Sequence, residues 1–212
     1  MFHKQTYYEA LAKTIIKNLA KRRMEGYYCA TAAEAKEKIL SMIDSGTEVA
    51  FGGAMTLNES GILSALRERT DITLLNRDAA KTPEEAGKIY RQAFSADTYL
   101  TSTNAITMDG ELINIDGRGN RVAALIFGPG QVIVVAGMNK VATDEAAGLA
   151  RVRNVAAPAN CIRLGKTTPC TVTGRCGDCF GDASICSQIV VTRRSSELNR
   201  IKVILVGEEL GY

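Results

Sequence analysis

The sequence FGGAMTLNESG, residues 51–61, marks a change from strand to helix, and the fold can be worked out from it. Residues 48–51 are typical of a short strand, and Gly52 and Gly53 then allow a tight turn. Thr56 and Glu59 have the spacing of a capping box, which predicts a helix directly after the turn. The N–H groups and dipole of such a helix attract anions, so the connection is expected either to bind an anion or to serve only as a tight turn.

The same alternation of strand and helix continues along the chain. Periodicity and capping signals predict helices at 5–23, 31–46, 57–69, 83–94 and 143–155, and strands at 26–30, 48–51, 72–75, 97–101, 131–136, 188–192 and 201–206. Two of these helices are predicted to begin with a capping box, formed by Thr31 with Glu34 and by Thr82 with Glu85. Asp109-Gly110 predicts a hairpin between 105–108 and 111–115, while 122–127 suits either a helix or a strand. We therefore expect an α/β fold, with an open, mostly parallel sheet, flanking helices, a β-hairpin addition and N-terminal helices.

The pattern indicates one domain over residues 1–212. Its predicted parts are an N-terminal helical part (1–46), a core (47–164), a cysteine-rich loop (165–187) and the final strands (188–212).

Composition narrows the functional classes. The net charge of +3 is too small to indicate nucleic-acid binding. No apolar run approaches the roughly 18 residues of a membrane span, and the N-terminus does not resemble a signal peptide, so a cytoplasmic location is expected. His3 is the one histidine of the sequence, which argues against histidine-based catalysis and His-rich zinc sites.

A ligand site is expected at one edge of the sheet. Ligands of open α/β sheets gather at the carboxyl ends of the strands, where backbone amides, Asn side chains and basic residues would meet. Such a set suits a small phosphorylated or carboxylated metabolite, although Asn and Gly also serve turn geometry alone. The predicted ligand-binding residues are Gly52, Gly53, Thr56, Asn104, Asn120, Asn139 and Lys140.

The sequence does not identify a catalytic residue. Asp116, Glu111 and Glu59 are the carboxylates considered for proton transfer, and structural roles are open for them, since the capping box already uses Glu59. Neither a Walker A sequence nor a G-x-G-x-x-G after a strand is present, so no motif indicates that the protein binds ATP or NAD.

A second group of residues is the cysteine run Cys170-x5-Cys176-x2-Cys179-x6-Cys186. A segment so poor in apolar residues could be held together by zinc or an iron–sulfur cluster. Its spacing matches neither zinc ribbons nor bacterial ferredoxins, so a redox-active Cys176/Cys179 pair and plain thiols stay open. Cys29 and Cys161 are expected to be buried as small hydrophobic residues.

Three stretches in this order resemble the LUD domain family of lactate-utilisation proteins: FGGAMTLNESGIL at 51–63, DGELINIDGRGNRVAALIFGP at 109–129 and VIVVAGMNKVATDEAAGLARVRNVAAPANCIRL at 132–164. The resemblance implies a single LUD domain with a fold like that of ribose-5-phosphate isomerase, glucosamine-6-phosphate deaminase and the coenzyme A transferases. It also implies an anion at Gly52, Gly53 and Thr56. The family often has Ser where this sequence has Ala54.

The resemblance further implies a part in the oxidation of L-lactate to pyruvate, beside partner proteins that carry iron–sulfur clusters. The chain lacks a long ferredoxin-like extension, so it resembles the small or stand-alone type. Two alternatives stay open: an isomerase or coenzyme A transferase-type enzyme acting on a phosphorylated or acyl substrate, and a metal or redox module centred on the cysteines. The oligomeric state is left open as well.

Overall fold

A computed structural model describes residues 2–212, so Met1 of the predicted N-terminal part lies outside the described residues. The helices are α1 Phe2–Lys21, α2 Ala32–Leu40, α3 Met55–Glu59, α4 Ile62–Glu68, α5 Pro83–Gln92, α6 Asn120–Ile126, α7 Glu145–Arg151, α8 Ala157–Arg163 and α9 Pro169–Thr173. The strands are β1 Glu25–Cys29, β2 Glu48–Phe51, β3 Thr73–Leu75, β4 Thr98–Ser102, β5 Ala105–Thr107, β6 Leu112–Asp116, β7 Gln131–Gly137, β8 Val141–Ala142, β9 Gln188–Thr192 and β10 Ile201–Val206.

The main sheet has six strands in the order β1-β10-β7-β4-β2-β3, and every neighbouring pair is parallel. Its central strands are apolar on both faces, because helices cover both sides. On one face α1 packs against residues such as Val134, and on the other α2, α3 and α4 pack against residues such as Ile133. The predicted α/β class with a mostly parallel sheet is confirmed.

The predicted hairpin of β5 and β6 forms, and it is part of a larger second sheet. Strands β5 and β6 form the centre of a second sheet in the order β8-β5-β6-β9, which is antiparallel except for the β5–β8 pair. A free hairpin would leave both edges unpaired, whereas β8 and β9 satisfy them here. Ile113 of β6 packs against Val152 and Ala156, so the second sheet has its own small core.

Two of the three predicted capping boxes are confirmed. The backbone N–H of Glu34 donates to Thr31 Oγ1 at the start of α2, and that of Glu85 donates to Thr82 Oγ1 at the start of α5, both at 3.2 Å. The capping box at Thr56 and Glu59 is wrong, because α3 begins at Met55 with Ala54 as its N-cap. The helix predicted over 57–69 is also interrupted, since Gly61 has φ +71° between α3 and α4.

The helix predicted to end near Val155 instead continues through Pro158. A π-helical turn over Val152–Ala156 joins α7 to α8, and Pro158 lies in the first turn of α8, where a proline is tolerated. Such wide turns are frequent at functional sites. In the segment 165–187, where no regular element was predicted, the short helix α9 forms.

Because the main sheet is parallel, its strands all end at one edge. β2 ends at Phe51, β4 at Ser102, β7 at Gly137 and β10 at Val206, and the registers align these ends. The segments that follow these strands build the candidate site. Within residues 2–212, no helix combines the length and the apolar character needed to cross a membrane.

Candidate functional site

A cavity of about 450 Å³ opens at this edge of the sheet. Segments after β2, β4, β6 and β7 line it, together with α8 and Tyr212. Its basic lining residues are Arg77, Arg118, Arg121, Lys140, Arg163 and Lys166, while Asp116 is the one acidic residue in the lining as far as the described chain goes. This excess of positive charge makes the cavity attractive to a small anion.

Lys140 is the most deeply placed of these basic residues, with 3% of its surface exposed. Its Nζ donates to Thr56 Oγ1 at 2.8 Å and to Ser102 Oγ at 3.0 Å, and both partners are neutral hydroxyls. Lysine is almost never buried unless it is paired, so this position has a cost in stability that a bound anion would offset.

Burial lowers the pKa of Lys140 to about 7, and the positive charges of Arg151 and Arg121 add to that effect. The carboxylate of Glu59 acts in the opposite direction but is the smallest of the influences. At neutral pH the amine is therefore divided between its neutral and its charged form.

Arg121 holds the wall of the cavity together. Its Nη1 donates to the Ser102 carbonyl at 3.1 Å and to Asn114 Oδ1 at 2.5 Å, and its Nη2 donates to Asn104 Oδ1 at 3.1 Å and to the Ile115 carbonyl at 3.0 Å. With these donors already used, Arg121 is primarily a positioning residue that contributes its charge to the cavity.

Asp116 lines the cavity, but its carboxylate is already bound. Oδ1 accepts from the backbone N–H groups of Arg118 (3.2 Å) and Gly119 (2.8 Å), and Oδ2 accepts from that of Val122 (3.3 Å) and lies 3.5 Å from Arg121 Nε. These bonds cap α6. A general base needs a free lone pair directed at its substrate, which this arrangement does not offer.

The other carboxylates considered for catalysis lie elsewhere. Glu111 pairs with Arg22 at 2.9 Å on the turn of the hairpin and does not line the cavity. Glu59 accepts from the backbone N–H of Gly211 at 2.6 Å, which is why the predicted capping box does not form.

The glycine turn differs from the predicted anion cradle. The N–H of Gly52 donates to the Leu100 carbonyl at 2.9 Å and so is not free for a ligand. Gly53 lines the cavity, and a Cβ there would lie 3.0 Å from Arg77 Nη1. Thr56 is fully buried, and its hydroxyl donates to the Leu210 carbonyl at 3.2 Å while accepting from Lys140.

Arg77, which sequence reasoning missed, stands at the same turn. Its guanidinium lies over the ring of Tyr90 at 5.3 Å from the centroid, and both residues line the cavity. Its Nε is buried and makes no hydrogen bond within the described residues, but it lies 3.5 Å from the carboxylate of Asp78. A basic residue in a predicted strand-to-helix loop gives no sequence signal of this position.

The segment 207–212 forms one side of the site and was also missed. Asn139 holds it with both functions of its amide: Nδ2 donates to the Gly211 carbonyl and Oδ1 accepts from the N–H of Leu210, each at 3.1 Å. Tyr212 donates to Asn160 Oδ1 at 3.3 Å and lines the cavity. Asn139 thus positions the chain beside the site and is not in the lining.

The remaining predicted residues reach the cavity. Asn120, the first residue of α6, lines it, and so does Asn104, whose Oδ1 also accepts from the N–H of Ile115 at 3.0 Å. Sequence reasoning therefore placed Gly53, Asn104, Asn120, Asp116 and Lys140 at one cavity.

The cysteine segment 165–187 contributes Lys166, Ser184 and Ile185 to the lining, but none of its thiols. Within residues 2–212, no group of three or more His, Cys, Asp or Glu side chains is arranged to hold a metal ion. Burial first, and then neighbouring thiols, raise the pKa of Cys186 to about 11. The thiols concerned are those of Cys161, Cys176, Cys179 and Cys170.

Cys161 is buried as predicted, yet it also belongs to this group of thiols. Burial and the thiols of Cys170 and Cys179 raise its pKa. These raised pKa values belong to the metal-free thiols, and a bound metal ion would lower them, because metal ligands are thiolates. The zinc or iron–sulfur hypothesis thus stays a prediction without a formed site.

Comparisons with known proteins identify the family and the fold. The family model described as LUD domain matches residues 12–206. A DUF162 family protein from Deinococcus radiodurans has a TM-score of 0.54 at 15% identity, with 94% of this chain and 98% of that chain covered. At this identity the likeness concerns the fold alone.

Other solved structures are similar over less of their length or at lower scores. A ribose 5-phosphate isomerase from Plasmodium falciparum has a TM-score of 0.33 at 16% identity, covering 51% of each chain. The tetrameric eIF2B-beta2-delta2 complex from C. thermophilum has a TM-score of 0.41 at 14% identity, covering 91% of this chain and 58% of that one. No curated protein matches the sequence.

Proposed function

Since the chain belongs to the LUD domain family, which supports a role of the lactate-utilisation type in general, we propose that it binds a small carboxylate or phosphate metabolite in the cavity beside Lys140. The metabolite is a hydroxy acid such as L-lactate, or its oxidation product. The protein acts in the cytoplasm, beside partner proteins that carry iron–sulfur clusters. These last two parts of the proposal rest on composition and on the family resemblance.

The observation that carries the proposal is the unbalanced charge of the cavity. Lys140, Arg163 and Lys166 are in its lining, whereas the carboxylate of Asp116 is neutralised by the N-terminus of α6 and by Arg121. A buried ammonium group that has no carboxylate in hydrogen-bond contact has lost the hydration that stabilises its charge. An anion that binds beside it stabilises that charge instead.

Anion binding at Lys140 should therefore depend on pH. A bound anion favours the charged amine and raises its pKa above the free value of about 7. Affinity should be fully present below pH 7 and should fall as pH rises through the pKa of the complex, by at most about tenfold per pH unit for one proton.

The experiment is calorimetric titration of the protein with L-lactate, pyruvate and inorganic phosphate at several pH values. Proton uptake is read from the dependence of the binding heat on the ionisation enthalpy of the buffer. Lys17→Met, an exposed residue on α1, is the matched control for Lys140→Met. If none of the three anions binds, or if both variants bind as the wild type does, the proposed site is wrong.

An isomerase or coenzyme A transferase-type activity has less support. Both alternatives need a carboxylate base near the substrate. Asp116 and Glu59 hold backbone N–H groups, and Glu111 is paired with Arg22 away from the cavity.

A further inference from the structure

The chemistry of Lys140 goes beyond that of an anion ligand. Lys140 lines the cavity, and both hydrogen bonds that its Nζ donates go to hydroxyl groups, those of Thr56 and Ser102. A lysine kept for structural reasons would be expected to face a carboxylate, as buried charges generally do. Here the surroundings favour the neutral amine, which is the nucleophilic form.

Two arginines strengthen this preference without blocking the amine. Arg151 donates to the carbonyl groups of Asn139 at 3.0 Å and Asn104 at 2.6 Å, and Arg121 is held by the cavity wall. The hydrogen bonds of both go to neutral acceptors, although Arg121 Nε also lies 3.5 Å from Asp116 Oδ2, and the positive charges of both act on Lys140. Desolvation combined with neighbouring cations is a known way to activate a lysine amine, and here the two together lower its pKa to about 7.

The hydroxyl groups around Nζ form a connected chain. The single proton of Ser102 Oγ has two acceptors, Thr56 Oγ1 at 3.3 Å and the Thr103 carbonyl at 3.2 Å, and Thr56 Oγ1 donates to the Leu210 carbonyl at 3.2 Å. Hydroxyls both donate and accept, so they can pass a proton between the amine and an oxygen atom bound next to it. Ser102 lines the cavity, which puts one of these hydroxyls within reach of a ligand.

The segment 207–212 covers the amine of Lys140 on one side. Gly211 has φ +60°, and a Cβ there would lie 2.6 Å from Thr56 Oγ1 and 3.3 Å from Lys140 Nζ. Only glycine lets the backbone pass so close to the amine. Leu210 beside it is 5% exposed, so the amine is shielded from bulk water on that side.

We propose that Lys140 is a nucleophile that forms an imine with the carbonyl carbon of a 2-oxo acid bound in the cavity. This inference rests on the proposed function, because the acid's carboxylate must first be held by the basic lining residues. The nitrogen lone pair adds to the carbonyl carbon, and one of the two amine protons moves to the carbonyl oxygen to give a neutral carbinolamine. The second amine proton and the hydroxyl group then leave together as water, which gives the imine without any oxidant or cofactor.

Ser102 and Thr56 are positioning residues in this reaction. Their hydroxyls orient the amine and relay the proton from nitrogen to the departing oxygen. Ser102→Ala should therefore slow imine formation more than it weakens pyruvate binding. The slower rate is expected in a variant that folds as the wild type does.

The test uses the full-length chain, pyruvate and a borohydride quench, followed by intact mass and peptide mapping. We expect one reduced adduct per chain, with the added mass of a carboxyethyl group, located on Lys140. L-Lactate has no carbonyl and should give no adduct. Lys140→Arg, which keeps the charge, should lose the adduct, while Lys17→Met should keep it.

The pH dependence separates this chemistry from simple binding. Adduct formation at saturating pyruvate should rise at least about tenfold from pH 6 to pH 8, because the neutral amine reacts and its pKa in the complex lies above the free value of about 7, whereas anion affinity falls above pH 7. Calorimetric binding of pyruvate without an adduct on Lys140 would overturn the imine and leave the anion site intact. Labelling spread over surface lysines would also overturn it. If the wild-type protein binds none of the anions tested, the proposed function itself is refuted.

Discussion

The cavity beside Lys140 and the cysteine segment 165–187 are built in opposite ways. The cavity draws its residues from widely separated parts of the chain, and hydrogen bonds fix most of them, as those of Arg121 show. The cysteine segment is continuous and has α9 as its regular element, with Val172 88% and Phe180 92% exposed. Four cysteines within 17 positions are easy to recognise in a sequence. The lowered pKa of Lys140, by contrast, arises from residues that are far apart in the sequence and are brought together by the fold.

The largest expected effect is the loss of anion binding in Lys140→Met. Removing one charge-assisted hydrogen bond costs about 1.5 to 3 kcal/mol, which corresponds to roughly a 10- to 100-fold weaker affinity for L-lactate, pyruvate or phosphate. Calorimetric titration beside Lys17→Met measures it. An equal loss in the Lys17 variant would mean that general surface charge, and not the cavity, binds the anion.

The same lysine should make stability depend on pH. In the unfolded chain Lys140 titrates near 10.5 and in the folded chain near 7, so between these values the unfolded state binds more protons. Over that window the wild type should gain up to about 1.4 kcal/mol per pH unit relative to Lys140→Met. Urea denaturation of both proteins from pH 6 to pH 10 tests the slope. Parallel curves would show that the amine is not desolvated as described.

Asn139→Ala tests how the segment 207–212 closes the site. The substitution removes two hydrogen bonds and leaves the N–H of Leu210 without its acceptor, which should cost about 1 to 3 kcal/mol of stability. Hydrogen exchange should accelerate at Leu210 and Gly211 more than in β10. If exchange instead rose equally across the sheet, Asn139 would support the core and not this segment in particular.

Cys176→Ser should have the smallest effect on the cavity. Cys176 is absent from its lining, so anion affinity should stay within about twofold of the wild type, as for most surface substitutions. Elemental analysis and an absorption spectrum of anaerobically purified protein test the metal hypothesis on the same samples. Stoichiometric zinc or iron in the wild type that is lost in Cys176→Ser would support a metal at the thiols. A colourless, metal-free protein that folds normally would refute it.

Local signals in the sequence were reliable where their partners are also local. The capping boxes at Thr31 and Thr82 form as predicted, because each needs only residues within one helical turn. The same pattern at Thr56 and Glu59 failed because Leu210, Gly211 and Lys140 take those side chains instead. A capping-box pattern spans four residues, so it contains no information about hydrogen-bond partners that lie far away in the sequence.

The placement of the site could be predicted further than its chemistry. Parallel strands end at one edge, so Gly53, Asn104 and Lys140 were expected together and do line one cavity. Arg77 and Tyr212 were missed, because nothing in their neighbouring sequence marks them. Gly52 was predicted to bind the ligand, but the register of β2 against β4 directs its N–H to the Leu100 carbonyl.

Local sequence patterns were sufficient to predict the α/β class, the mostly parallel sheet, and the sheet edge at which the cavity lies. Periodicity and turn residues suffice for these, since they depend on neighbours in the chain. Only the tertiary structure decided that Lys140 is desolvated between Thr56 and Ser102, beneath Gly211 and beside two arginines. The pKa of an amine depends on the solvent and charges around it in space, and those are set by packing between segments far apart in the chain.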